Sequence, residues 1–175
     1  ADITWTDQQL LPQKYQQYSD KYWNKRAYAP SAFLIYLGID GEVPELVHHN
    51  FRFQADWEKG FSEIFDEKVW PEDPSFYVCV TSKTDPNVAP KGKENFYILC
   101  PVAPGLEATD EFVDQFKNQI YDLIQTEMGV PDFKDRIEYE RIFKHEDFAS
   151  RYHAPQGTGL GLAHTLMQST VFRPN

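Results

Sequence analysis

The stretch Ala32-Phe-Leu-Ile-Tyr-Leu-Gly-Ile39 is apolar at nearly every position and stops at Asp40-Gly41. A continuous apolar run this short, closed by a turn signal, predicts a strand buried on both faces. Working outward, residues 47–53 alternate instead. Val47, His49, Phe51 and Phe53 fall on one side and His48, Asn50 and Arg52 on the other, which predicts a half-buried strand. Phe76 to Val80 and Phe96 to Val102 read as two more strands, and the loop between them, with Pro86, Pro90 and Gly92, is long for a hairpin. Ile137, Tyr139, Arg141 and Phe143 alternate as a further strand.

Helical periodicity separates these strands. Asp56 is placed to cap a helix with an apolar stripe of Trp57, Phe61, Ile64 and Phe65. Thr109 opens the clearest helix: Asp110 and Glu111 lie in its first turn, Phe112, Phe116, Ile120, Leu123 and Ile124 form its stripe, and Gly129 ends it. Residues 6–26 also read as helical, with Tyr15, Tyr18 and Tyr22 on one face. A short helix is expected near Asp147, followed by a Gly-rich loop. The even strand–helix alternation of a doubly wound parallel sheet is missing, so the expected class is α+β with a mixed, mainly antiparallel sheet in one domain, residues 1–175.

A chain of 175 residues with 41% hydrophobic and 15% aromatic content can bury a real core, which excludes a disordered segment. Its net charge of -10, with scattered basic residues, argues against nucleic acid and against electrostatic binding to an anionic membrane. Contact with a bilayer would have to rest on exposed apolar side chains. No apolar run approaches the roughly 20 residues that span a bilayer, and a cytoplasmic location is expected. Cys79 and Cys100 each lie inside an apolar run and read as buried thiols on neighbouring strands. The chain opens on Ala1 and ends on Asn175 just after an apolar segment, and it reads as a piece excised from a longer protein.

No motif locates catalysis. Gly157-Thr-Gly159-Leu-Gly161 has G-x-G-x-G spacing and follows no strand, so it reads as a flexible connection or a close backbone approach rather than a dinucleotide loop. His48 and His49, adjacent on a strand, are expected to point to opposite faces and so to share no metal; no metal site is expected. His145 and His153 fit no zinc pattern. His164 and Gln168 stand in an apolar context, either satisfied structurally or aimed into a cavity. There is no G-x-S-x-G, no activated cysteine and no Walker loop. One pattern stands out: Phe33-Leu-Ile-Tyr36, Phe76-Tyr-Val78 and Phe96-Tyr-Ile-Leu99 are bulky and apolar on both sides. Such a sheet has helices on both faces, or helices on one and an apolar ligand or another domain on the other.

Four collinear segments carry a family resemblance. Pro74-Ser-Phe-Tyr-Val78, followed by Thr84-Asp-Pro86, Ala89-Pro-Lys-Gly92 and Phe96-Tyr-Ile-Leu-Cys-Pro-Val102, resembles bacterial and fungal phytoene and dehydrosqualene desaturases. Gly161-Leu-Ala-His-Thr-Leu-Met-Gln-Ser-Thr-Val-Phe-Arg-Pro174 is similar to the family's segment before its C-terminal flavin-binding stretch. Ala1-Asp-Ile-Thr-Trp5 resembles the point where the chain leaves the Rossmann sheet, and Ser31-Ala-Phe-Leu-Ile-Tyr-Leu-Gly38 its first substrate-domain strand. The resemblance implies the substrate domain of an FAD-dependent oxidoreductase that introduces double bonds into a long isoprenoid, with helices packed on one face of the sheet. It also implies FAD held by the rest of the polypeptide and peripheral contact with the cytoplasmic membrane. Phe33, Tyr36, Phe76, Tyr77, His164 and Gln168 are then the candidate tunnel lining, and the loop of Gly157, Gly159 and Gly161 a candidate neighbour of the flavin domain. A related carotenoid oxidase or isomerase, and a non-catalytic module for a hydrophobic ligand or a protein partner, are the competing readings.

Overall fold

The computed structural model describes residues 2–174. Five strands form one antiparallel sheet in the order β2-β3-β4-β1-β5: β1 Ser31–Asp40, β2 His49–Arg52, β3 Phe76–Cys79, β4 Lys93–Val102 and β5 Ile137–Phe143. The apolar run of the opening lies in β1, the central strand. It pairs along its whole length with β4, from Ser31 opposite Val102 to Asp40 opposite Lys93, and on its other side with β5. The helices are α1 Ile3–Trp5, α2 Asp20–Trp23, α3 Trp57–Ser62, α4 Asp110–Glu127 and α5 His145–Tyr152.

The pleat splits β1 into two sets. Phe33, Ile35, Leu37 and Ile39 face one way and are buried. With Phe76, Val78, Phe96, Ile98, Cys100 and Val102 from the neighbouring strands they pack against Val113, Phe116, Ile120 and Ile124 of α4. Helix α4 begins where the sequence predicts, the Thr109 hydroxyl accepting from the Phe112 amide at 3.2 Å. It ends at Gly129, whose φ of +79° only glycine adopts freely. Each of these large side chains contributes about 1.5–3 kcal/mol through burial, so the sheet–α4 layer is the main source of stability. Both thiols are free and buried on adjacent strands, as read from the sequence. Cys100 points into the core, where burial pushes its thiol far above the usual range.

One expectation fails for a local reason. Residues 6–26 do not form a helix: a π-helical turn at Thr6–Leu10 and a 3-10 turn at Gln13–Tyr15 flank Pro12 and separate α1 from α2. Pro12 cannot donate within a helix, and the buried Asp7 carboxylate takes the Gln17 amide at 3.1 Å and Trp23 Nε1 at 2.9 Å, folding the segment back on itself. Tyr18 and Tyr22 do stack, with ring centres 4.4 Å apart, while Tyr15 is exposed. Strand β2 is half-buried as read, with Arg52 the buried residue and Phe51 the exposed one. Arg52 turns toward α4 and binds Glu127 through Nε and a terminal nitrogen at 2.9 and 3.0 Å, while its other terminal nitrogen meets Asp73 and the Pro74 carbonyl. A bidentate guanidinium–carboxylate pair satisfies that inward charge. The aromatic side of β2 is left facing away from the helix layer.

Candidate functional site

The face of the sheet opposite α4 is built by the same alternation. It carries Phe51 from β2, Tyr77 from β3, Tyr97 and Leu99 from β4, Leu34 and Tyr36 from β1, and Tyr139 and Phe143 from β5, with Phe53 just beyond β2. The register places Phe51 opposite Tyr77, Tyr77 opposite Leu99, Leu34 opposite Leu99, and Tyr36 opposite Tyr97. The rings follow one another across four strands: Phe53 to Phe51 at 5.8 Å, Phe51 to Tyr77 at 4.9 Å, Tyr77 to Tyr97 at 6.3 Å, and Tyr97 to Tyr36 at 5.4 Å. Aromatic pairs at these spacings hold one another in place.

Helix α5 covers only one corner of this face, Phe148 packing edge-on to Phe143 at 4.9 Å. Phe51 is 60% and Phe53 75% exposed, so nothing in the described residues covers that end. The apolar stripe on α3 and the π-helical turn that follows it stays outside the core: Trp57, Phe61 and Phe65 are exposed beside Phe53. With Pro71 and Pro101 they line a hollow of about 310 Å³. A second hollow of about 600 Å³ lies at the other end of β1 and β4, against Tyr36, Tyr97, Tyr139, Val88 and Pro90. Both are predominantly apolar. Burial holds the Tyr97 phenol above its ordinary pKa, and hydrogen bonding to Cys79 with some burial pushes Tyr77 up to about 12. These two phenols therefore stay neutral at physiological pH. The arrangement can hold an extended apolar molecule.

The sequence-predicted residues divide. Tyr36 and Tyr77 lie on this open face. Phe33 and Phe76 do not: they point to the helix layer and are buried against it, because the pleat sends alternate residues of a strand to opposite sides. His164 is exposed, beyond the isolated bridge of Tyr28 and Leu162. Gln168 is structural. Its side-chain oxygen accepts from the Ala27 amide at 2.9 Å, and its nitrogen donates to the Ala27 and Ala163 carbonyls at 2.8 and 3.0 Å. Gln168→Ala is expected to lower stability by about 1–3 kcal/mol, because those backbone groups lose their partner; chemical denaturation of both forms measures it.

The glycine loop is likewise used internally. Gly157, Thr158 and Gly159 donate their amides to the carbonyls of Ala154, Pro155 and Pro30, and Leu160 and Gly161 donate theirs to the Thr158 hydroxyl. With all five amides engaged, the loop offers no cradle for a pyrophosphate. The expectation for His48 and His49 is corrected too. His48 lies at a bend before β2, outside the strand's alternation, and the two rings sit 4.1 Å apart.

The reading from sequence missed Phe51, Phe53, Tyr97 and Leu99 on the face, and Trp57, Phe61 and Phe65 beside it. A signal existed: the alternation of β2 put Phe51 and Phe53 on the side opposite Arg52, but nothing in the local pattern announced that Arg52 points inward.

No family model matches the chain. A carotenoid 3,4-desaturase of Haloarcula japonica is 47% identical over all 175 residues. A zeta-carotene-forming phytoene desaturase of Myxococcus xanthus is 35% identical over the whole chain, and a 4,4'-diapophytoene desaturase of Staphylococcus haemolyticus 34% identical over 99% of it. The chain spans 34–36% of the length of these relatives. It belongs to the carotenoid and phytoene desaturase family, and the α+β class with an antiparallel sheet agrees with what the resemblance implies.

Proposed function

We propose that this chain is the substrate-side domain of an FAD-dependent carotenoid desaturase, its open aromatic face lying along a long isoprenoid while double bonds are introduced. The observation that carries the reading is the run of rings from Phe53 to Tyr36, which the chain's own helices leave uncovered. A hydrocarbon chain has no polar group to satisfy, so its recognition rests on apolar area, worth about 25 cal/mol per Å² buried. The relatives' names support the substrate class. The redox chemistry would come from FAD bound elsewhere in the polypeptide, since the glycine loop here is fully engaged within the chain. This chain's part is to hold and orient the substrate.

Peripheral attachment to the cytoplasmic face of a membrane belongs to the same proposal. Among the described residues no helix is long and apolar enough to cross a bilayer. The exposed Trp57, Phe61 and Phe65 supply the kind of apolar contact an interfacial protein uses.

The whole protein is expected to be yellow, with flavin absorption, and to convert a long-chain polyene precursor into a more unsaturated product resolved by chromatography. A colourless whole protein with no flavin would sink the proposal. Bound flavin with an isomerised or oxygenated product would assign it to the rival carotenoid isomerase or oxidase reading.

A further inference from the structure

Away from the aromatic run's far end, β2 and β3 bring together three side chains that bind metals. His49 and Cys79 are direct cross-strand partners. His48 precedes β2 and is held to the same ladder by its carbonyl, which accepts from the Val80 amide at 2.8 Å. A ring nitrogen of each histidine and Cys79 Sγ all lie within 4.8 Å of one another. We propose that His48, His49 and Cys79 form a binding site for a borderline-soft divalent cation, with zinc as the representative ion.

The ligand set is the first argument. Two imidazoles and a thiolate suit zinc, and three protein ligands leave a fourth tetrahedral position for water or another donor. The surroundings are the second. His48 Nδ1 meets the Thr84 hydroxyl at 2.7 Å, and His49 Nδ1 meets the Tyr77 hydroxyl at 2.6 Å. These hydroxyls hold both imidazoles in place near the Cys79 thiol. Distance is the third. Zinc bonds of about 2.0–2.1 Å to nitrogen and 2.3 Å to sulfur need the donors about 1 Å closer than the widest spacing here, so the three side chains close in on the ion by that amount. On binding, Cys79 coordinates as thiolate and its proton passes to solvent. The ion would then clamp the four-residue edge strand β2 onto β3, beside Phe51 and Tyr77. This inference is independent of the desaturase reading.

The test is equilibrium dialysis of the whole protein against zinc, with metal analysis and X-ray absorption at the zinc edge. The expected result is one equivalent of zinc bound above the level retained by Cys79→Ser, with one sulfur and two imidazole nitrogens in its shell. Cys79→Ser, His48→Gln and His49→Gln should each weaken binding by about 100-fold or more. Cys100→Ala should leave it unchanged, its position lying wholly within the core. Should a ligand variant fail to fold, the unaltered protein still decides: zinc must slow alkylation of Cys79. No zinc above the Cys79→Ser level, a shell of nitrogen and oxygen only, or an alkylation rate indifferent to zinc would each overturn the site.

Discussion

Phe51→Glu is expected to cut desaturation of the polyene by about 100-fold while leaving the fold in place. Phe51 is exposed, so its substitution empties no core space. Its ring, however, stands 4.9 Å from Tyr77 and 5.8 Å from Phe53 in the aromatic run. A carboxylate there must be desolvated against hydrocarbon without a partner, which costs several kcal/mol, and each 1.4 kcal/mol is tenfold. Phe51→Leu keeps the apolar surface and should retain most of the activity. Product chromatography on the two variants, with thermal melts as a control for folding, measures the difference. A charged residue tolerated at Phe51 with full turnover would remove this end of the face from the substrate path.

Gly157→Ala is the largest expected effect on stability. Gly157 has φ +63°, a conformation that costs a side-chain-bearing residue about 1–2 kcal/mol. A Cβ there would stand 2.4 Å from the His145 carbonyl oxygen, a backbone atom with no rotamer to yield. Moving it would disturb the start of β1, because the Gly157 carbonyl accepts from the Ser31 hydroxyl. A total loss of about 3–5 kcal/mol would remove much of the stability of an ordinary domain. Gly159 supplies the comparison: a Cβ there would meet the Pro30 carbonyl at 3.6 Å, an ordinary contact, and Gly159→Ala should cost under about 1 kcal/mol. Denaturation curves showing the two variants equally stable would contradict this account.

Strand existence was readable because it depends on local pattern. The runs in β1, β3 and β4, the Thr109 cap and the α4 stripe all specify their own conformation within a few residues. Which side of β2 faces the core was not readable, since that choice belongs to Glu127 and Asp73, remote in sequence, which receive Arg52. The assignment of Phe33 and Phe76 to the tunnel stopped at residue type; the parity of the pleat, fixed only by the docking of α4, sends them inward and Tyr36 and Tyr77 outward. The N-terminal segment had helical composition, but the Asp7 side chain offered its backbone a competing partner. Gln168 looked like a cavity residue because a polar group in an apolar context has two explanations, and only the position of Ala27 separates them.

The place of β1 at the centre of the sheet also governs how the chain must mature. Both partners of β1, β4 and β5, lie far downstream of it. A nascent chain emerging at about 5–20 residues per second leaves the apolar run Ala32 to Ile39 without a neighbour for seconds. Until Lys93 reaches Asp40, this segment is a bare strand with two open edges, the state in which a sheet protein is most prone to pair with the wrong chain. Its first encounter in the cell is therefore expected to be with a chaperone, before it meets the rest of its own sheet.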